Sequence, residues 1–456
     1  MRTRASRISR GLEGRVDSGF SVCDIIPRYP LDGFVGRSGT FSVRELSKNA
    51  QIKRAGVGRP AVRVLIAPDS FKESMSAREA AETIARGVRA VIPGAACTLA
   101  PVSDGGEGFT ASLGTALGAT LHSVTVADAL GRPVSAEYAF ASGAQPSTAV
   151  LEMASAAGLM HLQPGERDPM RASTRGVGEL ISSALDRLGE GGRLIIGLGG
   201  SATNDGGVGM LGALGARFLD SDGRPLPPVP ASLAGCLARI DVSGLDPRLF
   251  EVSIEVACDV TNPLLGTSGA SAVFGPQKGA DPATVAELEG FLGGLVEAAE
   301  ASDPSLGARA HATEPGAGAA GGLGWALATF LGARFEPGFD LVARTVSLER
   351  TIAHADLVLT GEGSIDAQTL SGKAPAGVAA LARRHGVPCV AFAGRVGEGA
   401  EVLYAHGVSA LVPIAQEVSS LDEALRQGPR NLERAVTTSM RLLEIGNIAG
   451  HSHRAE

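Results

Sequence analysis

Five polar, glycine-rich segments stand out as the places where this chain can do chemistry. They cover residues 69–74, 103–108, 197–207, 274–279 and 360–373, and they combine glycine with Asp, Asn, Ser, Thr and Lys. Glycine lets backbone N–H groups approach phosphate oxygens, and lysine neutralises charge on a transferred group. Carboxylates bind magnesium or accept a proton. Together these groups form the inventory that phosphoryl transfer needs.

Each segment taken alone is also consistent with ordinary turn chemistry, since turns favour Gly, Asp, Asn and Ser for backbone reasons. Five of them in one chain favour a cleft lined by several loops. Two phosphotransferase signatures are missing from the sequence. There is no Gly-x-x-x-x-Gly-Lys-Ser/Thr, because Ala374 follows Gly372-Lys373, and there is no His-Arg-Asp of a protein-kinase catalytic loop. The sequence therefore excludes a P-loop enzyme and a protein kinase.

A nicotinamide oxidoreductase is an alternative that the residues leave open. Residues 197–202 follow a predicted strand and fit Gly-x-Gly-x-x-Ala, and Asp220 lies about 20 residues further on, where a ribose-binding acid is expected. The polar run 203–205 is unusual for the start of the helix that such a fingerprint opens. A non-catalytic hydroxy-acid-binding protein is a third class. The density of acids beside glycines argues against it, because metal–phosphate binding uses both groups.

The apolar patterns around these segments predict strands that alternate with helices. Ser76 and Glu79 form a capping box, which predicts a helix after the first polar segment. Predicted strands cover residues 62–68, 193–196, 252–257, 356–360, 388–393 and 410–415. Predicted helices cover residues 208–218, 282–302 and 374–385, and residues 361–372 are predicted to be a long polar loop. Alternation of this kind predicts parallel strands, whose carboxyl ends commonly carry ligand sites.

We predict an α/β fold with a discontinuous Rossmann-like parallel-sheet domain and a second α/β domain inserted into it. The first domain is predicted to comprise residues 62–126 and 315–445, the inserted domain residues 127–314, and a tail residues 446–456. Residues 1–61 are predicted to be a disordered N-terminal extension. Their first sixty residues hold twelve Lys/Arg against five Asp/Glu without a long periodic apolar pattern, and they lack the apolar core of a secretory signal.

Composition narrows the class of protein further. The chain has 456 residues, of which 44% are hydrophobic and 20% charged, as in an ordinary globular protein. A net charge of -7 and an aromatic content of 4% argue against nucleic acid or an anionic membrane as a partner. The five cysteines are widely spaced and predict reduced thiols. We therefore predict a cytoplasmic protein, either a monomer or a homodimer, with no nucleic-acid or membrane partner.

The polar segments, taken in order, resemble the type I glycerate kinase family from about residue 62 to about residue 445. The matching stretches are Ala67-Pro-Asp-Ser-Phe-Lys72, Asp104-Gly-Gly-Glu-Gly108, Gly199-Gly-Ser-Ala-Thr-Asn-Asp-Gly-Gly207, Phe274-Gly-Pro-Gln-Lys-Gly279, Gly316-Ala-Gly-Ala-Ala-Gly-Gly-Leu-Gly324, Thr360-Gly-Glu-Gly-Ser-Ile-Asp-Ala-Gln-Thr369 and Gly372-Lys-Ala-Pro375. Two positions depart from the family pattern. Ser103 stands where alanine is often found, and Glu73 stands where glycine is frequent, which is expected to alter the loop slightly.

The resemblance implies ATP-dependent phosphorylation of D-glycerate with Mg²⁺, and in bacterial members the product is usually 2-phosphoglycerate. Such an enzyme would serve glyoxylate and glycerate carbon metabolism and feed glycolysis. Its small-molecule partners would be D-glycerate and ATP. It also implies the discontinuous first domain and the inserted second domain.

The candidate site residues come from the matching segments. Lys72, Asp104 and Asp205 are the predicted catalytic residues, with Lys72 neutralising charge and the two aspartates serving as base or magnesium ligands. Asp205 is equally consistent with a turn-forming aspartate. The residues predicted to bind glycerate or nucleotide are Asp69, Ser70, Gly105, Gly106, Glu107, Gly199, Gly200, Ser201, Thr203, Asn204, Gln277, Lys278, Gly361, Glu362, Asp366, Thr369 and Lys373.

A catalytic Asp205 leads to a direct expectation. Asp205→Asn should lower kcat far more than it lowers stability, because the side chain keeps its shape and loses its charge. Steady-state kinetics and thermal unfolding of the same preparation measure both effects. An unchanged kcat would remove Asp205 from the mechanism.

Overall fold

The computed structural model describes residues 61–452 except 104, 107, 367–368 and 370–372, with side chains described as far as residue 444. The predicted catalytic residue Asp104 and the predicted ligand Glu107 lie outside the described residues, as do residues 1–60 of the predicted disordered extension. Within the described residues, no helix is long and apolar enough to cross a membrane. The four cysteines in this part of the chain are free thiols.

Fourteen strands are present in the described part of the chain. In chain order they are β1 (Arg63–Ile66), β2 (Ala96–Leu99), β3 (Thr120–Ala127), β4 (Pro133–Ala141), β5 (Thr148–Glu152), β6 (Arg193–Gly197), β7 (Arg217–Leu219), β8 (Pro225–Leu226), β9 (Arg239–Asp241), β10 (Ser253–Ala257), β11 (Arg334–Glu336), β12 (Leu357–Ile365), β13 (Cys389–Val396) and β14 (Ala410–Pro413). They form three sheets.

The first sheet consists of five parallel strands in the order β14-β13-β12-β1-β2. The second has six strands in the order β11-β10-β6-β5-β4-β3, of which β5, β6, β10 and β11 are parallel. Strands β3, β4 and β5 form an antiparallel meander that the sequence patterns did not predict. The third sheet is small and antiparallel, in the order β8-β7-β9.

Sixteen α-helices surround the sheets of the described chain. They are α1 (Ala77–Arg89), α2 (Phe109–Ala116), α3 (Ala154–Ala157), α4 (Arg175–Leu185), α5 (Val208–Ala213), α6 (Pro230–Leu233), α7 (Ala270–Phe274), α8 (Pro282–Ser302), α9 (Ala308–His311), α10 (Leu323–Leu331), α11 (Gly338–Thr345), α12 (Leu348–Ala353), α13 (Ala374–Arg384), α14 (Val402–Ala405), α15 (Leu421–Arg426) and α16 (Gly428–Ser452). Helix α16 runs into the predicted tail, residues 446–456.

Three hydrophobic cores lie between the layers of the fold. Successive side chains of a strand point to opposite faces of its sheet and therefore enter different cores. One face of the first sheet packs on α1 and α16 through Val64, Ile66, Leu359, Phe392, Ile84 and Val436. The other face of the first sheet contributes Leu65, Val358 and Ala391 to a middle core. The second sheet contributes Val150, Ile195 and Ala257 to the same core. The far face of the second sheet packs on α4, α8 and α10 through Leu151, Ile196, Val256, Leu180, Leu295 and Trp325.

The fold class is confirmed as mixed α/β with parallel sheets. The first sheet draws its strands from residues 63–99 and 357–413, whereas the second draws them from residues 120–336. The boundaries of the two predicted domains remain a prediction. The middle core is built jointly, since α2 supplies Phe109 and Leu113 to it and packs on β4 and β5.

Several local predictions are confirmed and two are wrong in extent. Ser76 and Glu79 form the predicted capping box of α1. Strand β12 continues to Ile365, well into the predicted loop 361–372, because Gly361 to Ile365 stay paired with β13. The helix predicted over 208–218 ends at Ala213, and β7 follows it. Gly215 at φ 111° stops that helix, since this backbone conformation lies outside the helical region.

The order of the first sheet predicts a crevice at its carboxyl edge, between β1 and β12. From β1 the chain passes through α1 to β2 on one side, while β12 pairs with β1 on the other side. Loops that leave neighbouring parallel strands in opposite directions open a space between them, and ligands of open α/β sheets bind there. The loop after β1 carries residues 69–74, and the loop after β12 carries residues 366–373, so two of the five polar segments meet at this point.

Candidate active site

The end of β1 is tied directly to β12 at the crevice. The backbone N–H of Asp69 donates to the carbonyl of Gly361 at 2.8 Å, and the hydroxyl of Thr360 donates to the carbonyl of Ala67 at 2.7 Å. The Asp69 side chain is 9% exposed and accepts a hydrogen bond from the backbone N–H of Ser70 at 2.6 Å. Asp69 and Ser70 therefore lie beside Gly361 and Glu362, as a shared site requires.

Lys72 lies on a short loop that folds over the end of β12. Phe71 and Met75 exchange backbone hydrogen bonds of 2.9 Å, and the buried Phe71 ring anchors the loop in the core. A Cβ placed on Gly363 would lie 3.3 Å from the backbone nitrogen of Lys72, so the loop rests on the glycines of β12. The Lys72 residue itself is exposed. Its ammonium is therefore available to a ligand at the crevice.

Glu73 occupies the position where the family pattern favours glycine, and its backbone adopts a glycine-like conformation. Its φ is 61°, in the left-handed region that side chains with a Cβ rarely enter. The hydrogen bonds between Phe71 and Met75 on either side hold it there. A glutamate at this position therefore carries local backbone strain.

Four predicted residues form one cluster at the end of β12, which we call the edge cluster: Glu362, Asp366, Thr369 and Lys373. Glu362 is 8% exposed and accepts from the Thr369 hydroxyl at 3.1 Å and from the Lys373 ammonium at 3.3 Å. The backbone N–H of Asp366 donates to the Thr369 hydroxyl at 3.1 Å. The Lys373 side chain keeps 32% of its surface exposed. Glu362 thus orients a lysine that can still contact a ligand.

Gly105 and Gly106 contact the second sheet where the strands of both large sheets have their carboxyl ends. The loop that holds them starts beside β1, where the N–H of Val102 donates to the carbonyl of Pro68 at 3.0 Å. A Cβ on Gly199 would lie 2.9 Å from the Cα of Gly106, and a Cβ on Gly197 would lie 3.1 Å from the carbonyl oxygen of Gly105. No side chain fits in this contact. The second and third polar segments are therefore in backbone contact.

Asp205 is fully buried and bonded to the protein. Its carboxylate accepts from the N–H and hydroxyl of Thr174 at 2.7 and 2.8 Å, and from the N–H groups of Gly207 and Gly209 at 3.1 and 3.2 Å. Burial raises the pKa of Asp205, and these four donors oppose that rise. A base or magnesium ligand needs an open oxygen, and here both oxygens are engaged. The geometry favours a positioning role, in which Asp205 ties the start of α5 to the start of α4.

Thr203, Asn204 and Lys278 are also buried, and with Asp205 they form what we call the buried cluster. The Lys278 ammonium donates to the carbonyl of Thr203 at 2.7 Å, and the Asn204 amide donates to the Ser271 hydroxyl at 3.0 Å. Burial lowers the pKa of Lys278 to about 7, although the nearby Asp205 opposes this shift. These buried residues support the glycine run from inside the protein.

The remaining predicted ligands of these two segments are divided. Gly199 is half-buried, Gly200 is exposed and Ser201 is buried, so Gly199 and Gly200 are the residues that this part of the run presents to solvent. Gln277 is exposed, and its backbone carbonyl accepts a hydrogen bond from the Arg167 guanidinium at 3.0 Å. The structure therefore separates the third and fourth segments into a part that can meet a ligand and a part that supports it.

Two carboxylates at strand ends were missed by the sequence analysis. Glu152 ends β5 and accepts from the N–H of Phe109 at 3.2 Å, next to the Gly105–Gly106 loop. Asp259 follows β10 and accepts from the N–H of Gly338 at 2.9 Å. Neither carboxylate has glycine neighbours, so neither belongs to the glycine-rich polar segments. An acid directly after a buried strand was the available signal.

Lysine usage is a second signal that was available in the sequence. The chain has 41 Lys and Arg residues, yet beyond residue 60 the lysines are Lys72, Lys278 and Lys373 only. All three lie in the candidate segments. Arginine makes most of the ion pairs in the described part of the chain, whereas the Lys373 ammonium pairs with Glu362.

The dinucleotide alternative is not supported by the geometry. Residues 197–202 follow β6, but no helix opens there, since α5 begins at Val208. Asp220 lies in the turn between β7 and β8, where it accepts from the N–H groups of Asp222 and Arg224 at 2.9 and 2.8 Å. It is a turn-forming residue and does not face a nucleotide fingerprint.

The described residues fit a metal that arrives with its ligand better than a resident metal. Among them, no group of three or more His, Cys, Asp or Glu residues is arranged to hold an ion. Magnesium bound to nucleotide phosphates needs only one or two carboxylates from the protein. The carboxylates of the edge cluster meet that need.

Comparison with known proteins identifies close likenesses over nearly the whole described chain. The model of the glycerate kinase family matches residues 64–444. The chain is 48% identical over 374 residues to the glycerate kinase of Bacillus subtilis (strain 168), covering 82% of this chain and 95% of that protein. It is 43% identical over 386 residues to the glycerate 2-kinase of Escherichia coli (strain K12), covering 84% and 99%. A crystal structure assigned to glycerate kinase 2 of Salmonella typhimurium LT2 has a TM-score of 0.75 at 42% identity, covering 85% of this chain and 99% of that chain.

Because Asp205 is buried, we expect Asp205→Asn to lower stability more than kcat, which is the reverse of the expectation from the sequence. Asp205→Asn places an amide against N–H donors in a buried network, so we expect a loss of about 1–3 kcal/mol in the free energy of unfolding. Urea unfolding measures it, with the exposed turn residue Asp222→Asn as the control. A variant as stable as the parent with a greatly reduced kcat would restore the catalytic assignment.

The strained backbone at Glu73 gives a second prediction. Glu73→Gly should be more stable than Glu73→Ala by about 1 kcal/mol, because glycine relieves the left-handed strain and alanine does not. The opposite order is expected at Glu82 in α1, where the backbone is helical and glycine costs about 1 kcal/mol relative to alanine. Thermal unfolding of the four variants tests the reversal. The same order at both positions would contradict it.

The buried Lys278 predicts a pH dependence of stability. Its folded pKa of about 7 lies below the ordinary value of 10.5, so between these pH values the unfolded chain binds one more proton than the folded chain. Stability should therefore rise with pH in this window, by at most about 1.4 kcal/mol per unit, and the penalty is complete below pH 7.

Lys278→Met removes the titrating group and provides the reference. Urea midpoints of parent and variant at about pH 7 and about pH 9 should show the parent gaining on the variant as pH rises. Parallel pH profiles would show that Lys278 does not titrate in this range.

Proposed function

Because the chain belongs to the glycerate kinase family and is a kinase, we propose that it transfers the γ-phosphoryl group of ATP to the 2-hydroxyl of D-glycerate. The product would be 2-phosphoglycerate, as the name of the Escherichia coli relative indicates for that protein. The proposal rests most on one observation: the loop that carries Lys72 lies against Gly363 of β12, and Lys373 pairs with Glu362 of the same strand. Two ammonium groups at a sheet switch point suit a polyphosphate.

The nucleotide phosphates are proposed to lie at the edge cluster. Helix α13 begins directly after Lys373, and its first N–H groups favour an anion. Lys373 would contact the transferred phosphoryl group, while Glu362, which also accepts from Thr369, holds the lysine side chain in place. Lys72 would neutralise charge from the opposite side of β12. Asp366, which is half-buried in the same turn, is the described carboxylate best placed to bind magnesium carried by ATP. That ion would neutralise charge on the phosphate oxygens.

D-Glycerate is proposed to bind where the Gly105–Gly106 loop meets Gly199 and Gly200. Gly199 is half-buried and Gly200 is exposed beside this contact, so their backbone N–H groups would receive the substrate carboxylate. The acceptor hydroxyl must lose a proton to a base. Asp104, on this loop, stays a predicted catalytic residue, and the identity of the base is left open. Glu152, bonded to the N–H of Phe109 at the other end of the same loop, is the described carboxylate beside it.

The activity and its regiochemistry are tested together by phosphorus-31 NMR of the purified protein with ATP, magnesium and D-glycerate. We expect a resonance of 2-phosphoglycerate to grow as ATP is consumed. A resonance of 3-phosphoglycerate would keep the kinase and overturn the choice of hydroxyl. Folded protein that consumes no ATP in the presence of D-glycerate would overturn the proposed function.

The role of lysine at position 373 is tested by two substitutions. Lys373→Met and Lys373→Arg are both expected to lower kcat/KM by about 100-fold, because the first removes the charge and the second replaces a compact ammonium with a planar group. Arg78→Lys, at an exposed ion pair in α1, is the matched control and should leave kcat/KM unchanged. Full activity of Lys373→Arg would reduce its role to charge alone.

A further inference from the structure

Strand β3 lies at one edge of the second sheet and differs from the other edge strands that the structure describes. In the sheet order, β4 lies on one side of β3 and no described strand lies on the other. The other five edge strands, β2, β8, β9, β11 and β14, have two to four residues each. Strand β3 has eight residues, and none of them is Lys, Arg, Asp, Glu or Pro. Short length, charge and proline commonly keep an edge strand from pairing with another chain, and β3 has none of these protections.

The hydrogen bonds at the turn after β3 show which of its backbone groups face away from the sheet. The N–H of Asp128 donates to the carbonyl of Arg132 at 2.6 Å, and Ala127 lies opposite Pro133, which has no N–H. Bonded and non-bonded positions alternate along an antiparallel pair. The even-numbered residues of β3 therefore bond to β4. The odd-numbered residues 121, 123, 125 and 127 direct their N–H and carbonyl groups outward.

The last of these four outward positions is covered by α4. The N–H of Ala127 donates to the Glu179 carboxylate at 2.8 Å, and a Cβ on Gly176 would lie 1.8 Å from the Ala127 carbonyl oxygen. The other three outward residues are exposed, and their outward N–H and carbonyl groups have no hydrogen-bond partner in the described part of the chain. The middle of β3 is therefore an open row of backbone donors and acceptors.

We propose that β3 pairs with β3 of a second copy of this chain, antiparallel and about a twofold axis at Ser123. In this register Ser123 lies opposite Ser123 of the second copy, and Leu121 lies opposite Thr125. All three outward residues then exchange both of their backbone bonds across the contact. The strand of the second copy begins at Thr120, opposite Val126, so it does not reach the end of β3 that α4 covers. The two six-stranded sheets would continue as one sheet.

A second copy is the favoured partner because β3 is complementary to itself. A twofold contact brings like residues together, so a charged residue near the axis would meet the same charge. Burial lowers the pKa of His122, and Arg187 acts in the same direction, so the histidine of β3 is neutral at pH 7. Glu137 of β4 accepts from the Ser123 hydroxyl at 3.0 Å. It would lie about 14 Å, or three strand spacings, from Glu137 of the second copy, where salt screens the repulsion.

Ser123 provides the test because it lies opposite its own copy. Ser123→Lys and Ser123→Glu each place like charges on the axis, so each variant should have the mass of one chain where the parent has the mass of two. An equimolar mixture of the two variants places opposite charges there and should recover the dimer mass. Thr98→Lys, at an exposed position of edge strand β2, is the matched control and should stay dimeric. Sedimentation equilibrium over a range of concentrations measures the masses, and thermal unfolding shows that each variant is folded.

Three results would overturn the proposal: a parent chain that is monomeric at every concentration, Ser123 variants that stay dimeric, or a mixture of folded variants that stays monomeric. Hydrogen exchange of residues 120–127 adds an independent measurement. Protection of these amides should grow with concentration in the parent and should not do so in Ser123→Lys. Protection that is equal at all concentrations in the parent would show that another part of the chain covers the edge, and the proposal would be wrong. No candidate site residue lies on β3, so the inference does not depend on the proposed function.

Discussion

The candidate site depends on one close backbone contact, in which Gly105 and Gly106 press against Gly197 and Gly199. The first pair leaves the end of β2 in the first sheet, and the second leaves the end of β6 in the second sheet. A Cβ at this contact would lie within about 3 Å of backbone atoms, so a substitution there would push the two sheet edges apart. The proposed phosphate donor and acceptor sites lie on different sheets, so their proposed facing arrangement depends on this short distance.

Burial divides the lysines of the site into two kinds. Lys72 and Lys373 stay accessible at the crevice, whereas Lys278 is buried behind the glycine run and donates to the carbonyl of Thr203. Asp205 has the same supporting position on the acidic side, with its oxygens bonded to four protein donors. The buried polar residues of the third and fourth segments therefore shape the loop, and Gly199 and Gly200 are its glycines proposed to contact the ligand.

Sequence patterns predicted the parallel strands and the edge cluster well, because buried strands and capping boxes are local signals. Ser76 with Glu79 marked the start of a helix that the structure contains, and the helix predicted over residues 374–385 is present as α13. The antiparallel meander β3–β5 was not predicted, since its pairing depends on partners far along the chain. Burial could not be read from composition either. Asp205 and Lys373 both stand beside glycines, and only the fold determines that one is enclosed and the other accessible.

The middle core has a consequence for motion. Leu65 and Val358 of the first sheet share this core with Val150 and Ile195 of the second, and helices α2 and α11 to α13 complete it. Rigid-body opening of the two sheets would expose this apolar interior to water, at a cost that grows with the area uncovered. Substrates should therefore enter without a rigid-body separation of the two sheets. Heat should melt both sheets in one cooperative transition, so a weakened helix far from the crevice would shorten the lifetime of the active form.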